Sequence, residues 1–144
     1  MALVFYSESD TFEPWRDALT EAIPDLVVLG WDEVEDPAAI EYALVWTPPR
    51  GSLRQFPNLK VILNLGAGVD ALLKDPELPP GVPIVRMVDD DLAKSMGEYV
   101  LLHVLRYHRE QPLLDAQQRA SDWRLNESLT ARDCRGGIMG LGVM

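Results

Sequence analysis

Short apolar runs separated by turn-forming or helix-spaced segments fill the first 90 or so residues, the pattern of βαβ units feeding a parallel sheet. The runs at 3–6, 26–29, 42–46, 60–65 and 83–85 read as strands, with Gly30 closing the second. Phe12, Trp15, Leu19 and Ile23 recur at helical spacing, so a helix is expected over 12–23, capped by Thr11 and ended by Pro24. Asp36 followed by Pro37 signals a short helix to about Glu41, and Pro48 and Pro49 forbid continuation of the third strand. Helical potential at 69–74 stops at Pro76, and the proline-rich stretch 76–83 reads as an ordered connection. From Leu92 one long helix is expected. Its run Tyr99, Val100, Leu101, Leu102, Val104 and Leu105 is nearly unbroken, which requires cover on more than one face and places a hinge between two lobes at 89–93. A second, polar helix over 113–123 and a terminal strand at 137–139 complete the pattern.

Composition narrows the class without naming a chemistry. With 144 residues, 47% hydrophobic and 25% charged, the chain is large enough for a sizeable single core. No apolar run reaches bilayer length and the N-terminus carries no signal pattern, so no membrane association is expected and the compartment is the cytoplasm. The single cysteine, Cys134, has no metal-ligand spacing around it and reads as an ordinary reduced thiol; no metal is expected. A formal charge of -10 argues against nucleic acid and requires local donors to attract any anionic ligand.

Two glycine-rich segments carry the candidate chemistry. Gly137 to Met144 reads G-I-M-G-L-G-V-M, in which Gly140, Leu141, Gly142, Val143 and Met144 begin a G-x-G-x-x-G turn that lacks its third glycine, its helix and its ribose contact. Either this is the front of a longer dinucleotide-dependent enzyme or the match is an accident of sequence. Gly66-Ala67-Gly68 follows a strand, but the helix behind it is too short for a pyrophosphate site. Its backbone N–H groups suit a small carboxylate, and a tight turn needing glycine only for backbone reasons remains an equal reading. On their own, Trp46 reads as a core aromatic, Glu98 as a helix-dipole carboxylate, and His103 and His108 as satisfied helix residues. Asp89, Asp90 and Asp91 read as a cap and solvated face.

Taken in order, Val45-Trp46-Thr47-Pro48-Pro49, Leu65-Gly66-Ala67-Gly68-Val69-Asp70, Met96-Gly97-Glu98-Tyr99-Val100 and the terminal glycine segment resemble the D-isomer-specific 2-hydroxyacid dehydrogenases, and within them the glyoxylate/hydroxypyruvate reductase A branch. The resemblance implies an α/β fold: a flavodoxin-like parallel-sheet substrate lobe at 1–90, then the opening helices and first strand of a truncated Rossmann lobe at 91–144. It implies that the amides of Gly66, Ala67 and Gly68 hold the carboxylate of a small 2-oxo acid, with Trp46 as an aromatic wall. Met96 would lie beside the interlobe cleft and, with Gly140 to Met144, contribute to an NADPH or NADH site. The arginine, carboxylate and histidine of the family's catalytic set belong to a later part of the chain, so no catalytic residue is expected here. A homodimer formed through the coenzyme lobe is also implied. Two rivals are a non-catalytic assembly module and a receiver-like signalling domain; the latter is disfavoured because strand three ends in Trp46-Thr47-Pro48 rather than in a phosphorylatable aspartate.

Overall fold

The computed structural model describes residues 1–127, 129–140 and 142. They divide into two compact units, Met1–Val88 and Asp89–Met144.

The first unit is built on one sheet of five parallel strands: β1 (Ala2–Ser7), β2 (Val27–Gly30), β3 (Tyr42–Trp46), β4 (Val61–Asn64) and β5 (Ile84–Arg86). Their order is β2-β1-β3-β4-β5, so the direction of winding reverses between β1 and β3. Register places Leu3 opposite Val28 and Tyr42, and Val45 opposite Asn64. The strands are apolar almost throughout because both faces of the sheet are covered. On one face Val4, Ala43, Val45 and Ile62 pack with Ile40, Leu53, Phe56, Leu59 and Leu72. On the other, Leu3, Phe5, Val28 and Leu44 are covered by Phe12, Trp15 and Leu19 of helix α1 (Phe12–Ala22), the spacing that marked this helix in the sequence. The short helix α2 (Asp70–Leu73) contributes Leu72 to the first face.

Several local expectations change. Thr11 occupies the N-cap of α1, yet its hydroxyl makes no capping bond. The helix expected through Glu41 is a single 3-10 turn, Pro37–Ala39, capped by Asp36. It ends there because the Glu41 N–H already donates to the Ala2 carbonyl and starts the β3 ladder.

The second unit contains α3 (Asp90–His108), α4 (Gln111–Arg119) and a 3-10 turn at Ala131–Asp133. Asp89 caps α3, its carboxylate accepting from the Asp91 N–H at 3.0 Å. Helix α4 stops at Arg119 rather than at residue 123, because Ser121 adopts a left-handed φ of 52° and reverses the chain. The strand expected at 137–139 is not formed. A strand needs a neighbour to satisfy its backbone, none is present among the described residues, and Ile138 and Met139 are exposed. Nor is the apolar run of α3 covered: none of the helix's residues is buried. Among the described residues no helix is long and apolar enough to cross a membrane.

Candidate functional site

The candidate site lies where β3 and β4 end. In a parallel sheet wound in both directions, the crevice outside the strand carboxyl ends near the reversal is where ligands bind. Trp46 closes β3, and the turn at residues 66–68 follows β4 one strand away. The two meet directly. A Cβ built on Gly66 would lie 2.1 Å from Cζ3 and 2.8 Å from Cη2 of the Trp46 indole, so glycine is required because the ring lies against the backbone. Neither Gly66 nor Gly68 has a left-handed φ, which removes the backbone-conformation reading of these glycines. Gly68 is open by contrast, its added Cβ meeting only an Asp70 carboxylate oxygen at 3.5 Å.

The polar groups of this turn are divided by type. The Gly66 carbonyl accepts from the Met87 N–H and, at 2.8 Å, from Nδ2 of Asn64; the Gly68 carbonyl accepts from the same Nδ2 at 2.9 Å; the Val69 carbonyl accepts from the Leu73 N–H. Among the described residues the N–H groups of Gly66, Ala67, Gly68 and Val69 donate to nothing. A run of unpaired amides, with the Gly66, Gly68 and Val69 carbonyls engaged elsewhere, has the chemistry that suits an anion. Asn64 is the residue that sequence reasoning missed. It sits in an apolar strand without a motif around it, and its signal is that it is the buried polar residue of the core, 5% exposed, where an unpartnered amide would be costly.

A cleft of about 560 Å³ opens beside the turn, lined by Trp46, Thr47, Pro48, Arg50, Gly68 and Lys74 among others. Thr47 carries a positive φ of 47°, uncommon for a β-branched residue, and its hydroxyl donates to Glu8 Oε2 at 2.8 Å, tying the end of β3 to the end of β1. The wall beyond is fixed by Asp75. Its carboxylate accepts from the Gly51 and Glu77 N–H groups at 2.9 Å each. Those bonds, with Gly51 first, hold its carboxyl below the usual aspartate range.

No protein-family model matches the chain. The glyoxylate/hydroxypyruvate reductase A of Serratia proteamaculans is 36% identical across 100% of the chain and 47% of its own length. A D-isomer-specific 2-hydroxyacid dehydrogenase from Xanthobacter autotrophicus, solved in complex with NADPH and MES, superposes with a TM-score of 0.88 at 43% identity, over 99% of this chain and 46% of that one. Over its whole length the chain is similar to part of the D-isomer-specific 2-hydroxyacid dehydrogenases. The NADPH-dependent glyoxylate/hydroxypyruvate reductase of Sinorhizobium meliloti, in complex with NADP and sulfate, gives a TM-score of 0.82 at 33% identity over 99% of this chain and 46% of its own. The chain thus spans about half the length of the relatives it matches.

The structure brings Trp46 together with Gly66, and places Gly68 in the cleft wall, with Ala67 between the two glycines in the same turn. The remaining expected residues lie in the second unit. Met96 is half-exposed on α3. Gly140 has a φ of +90°, a Cβ at either Gly140 or Gly142 would meet open space, and Leu141, Val143 and Met144 lie outside the described residues. The His103 ring packs at a tilt of 53° against Tyr99, with centroids 4.3 Å apart, and His108 Nδ1 is 3.1 Å from the sulfur of the exposed Cys134. A hollow of about 650 Å³ beside α4 is lined by Leu114, Trp123 and Leu125 and by the paired amides of Gln117 and Asn126. Among the described residues no group of acidic, histidine and cysteine side chains is arranged to hold a metal ion.

Proposed function

We propose that the chain is the substrate lobe, with the opening of the coenzyme lobe beyond about residue 90, of a cytoplasmic NADPH-dependent reductase of glyoxylate, hydroxypyruvate or a related 2-oxo acid. The observation that carries this reading is the run of unpaired N–H groups at 66–69 beside the Trp46 indole. A protein of net charge -10 attracts no anion through its overall field, so an amide site of this kind is where a small carboxylate is held. The names of the Serratia and Sinorhizobium relatives support the substrate class, and the NADPH and NADP in the solved neighbours support NADPH over NADH.

In the intact protein a nicotinamide supplies the hydride for the substrate carbonyl. The residues of this chain bind and orient: the amides hold the carboxylate, Trp46 walls the cleft, and Thr47 with Pro48 fixes the ring at the strand end. The groups that polarise the keto oxygen and donate the proton are assigned to the part of the enzyme beyond these 144 residues, which leaves the chain itself inactive. Replacing Gly68 by valine in the complete enzyme is expected to raise KM for the 2-oxo acid at least about tenfold, with cofactor affinity nearly unchanged, because the side chain enters open space in front of the amides. Steady-state kinetics together with a cofactor titration test the reading; an equal loss of both affinities would make the turn structural only.

The residues present fit the first part of a dinucleotide cradle. The left-handed φ of Gly140 and the open space at Gly140 and Gly142 suit a tight turn approached by a pyrophosphate. A pyrophosphate site also requires a helix N-terminus behind such a turn, whose amides face the phosphates. Titration of the chain with NADPH, followed by nucleotide fluorescence, is expected to be flat. Saturable micromolar binding would transfer the cofactor site to the turn at Gly66. The exposed face of α3 is assigned to contact with a second copy, as part of a homodimer.

A further inference from the structure

The hydrogen bonds of Asn64 have a geometric consequence for the N–H groups on the far side of the turn. In a trans peptide the carbonyl of one residue and the N–H of the next point in opposite directions. No cis peptide is present among the described residues, so fixing the Gly66 carbonyl aims the Ala67 N–H, and fixing the Gly68 carbonyl aims the Val69 N–H. Both carbonyls are bound by one nitrogen, Nδ2 of Asn64, at 2.8 and 2.9 Å, which uses both protons of the primary amide. The Ala67 and Val69 N–H groups are therefore both turned away from the same buried point. The two peptide planes are not equally supported. The Gly66 carbonyl also accepts from Met87, whereas the Gly68 carbonyl accepts only from Asn64 among the described residues.

We infer that Asn64 is a positioning residue for 2-oxo acid binding: its side-chain amide pre-aims the Ala67 and Val69 N–H groups at the substrate carboxylate. The inference rests on the reading of the turn as the carboxylate site. It adds a division of labour within it, in which the Val69 N–H depends on Asn64 alone and the Ala67 N–H is shared with Met87. Preorganised amides bind an anion without first being reoriented, so removing the anchor weakens binding even when the fold survives.

The test is titration of the nitrogen-15-labelled chain with oxalate, a non-reducible dicarboxylate that presents the same carboxylate group, followed residue by residue in amide spectra. In the native chain the amide resonances of residues 66–69 are expected to shift and saturate together. In Asn64→Ala the affinity should fall about tenfold, the loss of one to two ordinary hydrogen bonds, with the oxalate-induced shift of Val69 reduced more than that of Ala67 and the sheet resonances unchanged. Asn64→Ser, which keeps a shorter donor, should recover part of the loss. If Asn64→Ala folds and binds oxalate as the native chain does, the positioning role is overturned while the carboxylate reading stands. If oxalate shifts none of the amides at 66–69 in the native chain, the carboxylate reading itself fails and the inference falls with it. Should the substitutions prevent folding, hydrogen exchange of the Asn64 side-chain amide in the native chain decides. Protection with and without oxalate supports the role, and exchange at the solvent rate overturns it.

Discussion

Substituting alanine for Gly66 will displace the Trp46 indole and abolish carboxylate binding at the turn. The new Cβ would stand 2.1, 2.8 and 3.1 Å from three indole carbons, and real Cβ atoms do not approach carbon this closely. The ring cannot simply yield, because Trp46 ends β3 and is followed by Thr47 in a left-handed conformation and by Pro48. Overpacking of this kind costs about 1–3 kcal/mol, and it falls on the residue that walls the cleft. Expected results are a lower thermal midpoint, a red-shifted Trp46 emission measured against a Trp46→Phe background, and no saturable response to oxalate. Gly68→Ala is the control, since its Cβ meets only one carboxylate oxygen at an ordinary contact distance, and it should leave stability nearly unchanged. Equal stability and equal oxalate affinity for Gly66→Ala and the native chain would show that the indole does not rest on the turn in solution.

Self-association through α3 is the second large effect. Tyr99, Val100, Leu102, Val104 and Leu105 are 58, 53, 62, 58 and 46% exposed, and no residue of the helix is buried. Covering half of five such side chains contributes several kcal/mol at roughly 25 cal/mol per Å², and exposed apolar surface of that extent on one helix is uncommon on a monomer. Sedimentation velocity over a range of concentrations should show a reversible shift to a larger species, abolished by Leu102→Asp or Leu105→Asp. These positions are exposed on the helix, so the substitutions should leave the midpoint of the sheet-bearing unit unchanged. A single monomeric species at high concentration, insensitive to both substitutions, would remove the assignment of this face to a second copy.

How far each feature could be read from the chain depended on how local its cause is. Strand β3 was expected at 42–46 and is observed at Tyr42–Trp46, because a fully buried strand bounded by a turn and two prolines carries its own boundaries. Helix α1 was legible for the same reason, through the spacing of Phe12, Trp15 and Leu19. The strand at 137–139 failed because an apolar triplet says nothing about whether a neighbouring strand exists to pair with it. The end of α4 failed because Ser121, not a glycine or proline, makes the left-handed reversal.

Residue types and their spacing along the chain determined by themselves that a parallel α/β unit forms, that glycines follow β4, and that an aromatic ends β3. Those features arise from backbone restriction and apolar periodicity, which act between near neighbours in sequence. Only the tertiary structure decided why Gly66 is glycine, since the reason is a tryptophan ring carried by another strand. It alone also gave Asn64 a role: a buried primary amide acquires meaning from the two carbonyls that the turn folds back onto it, and hydrogen-bond partners brought together by a turn leave no periodic trace in the sequence.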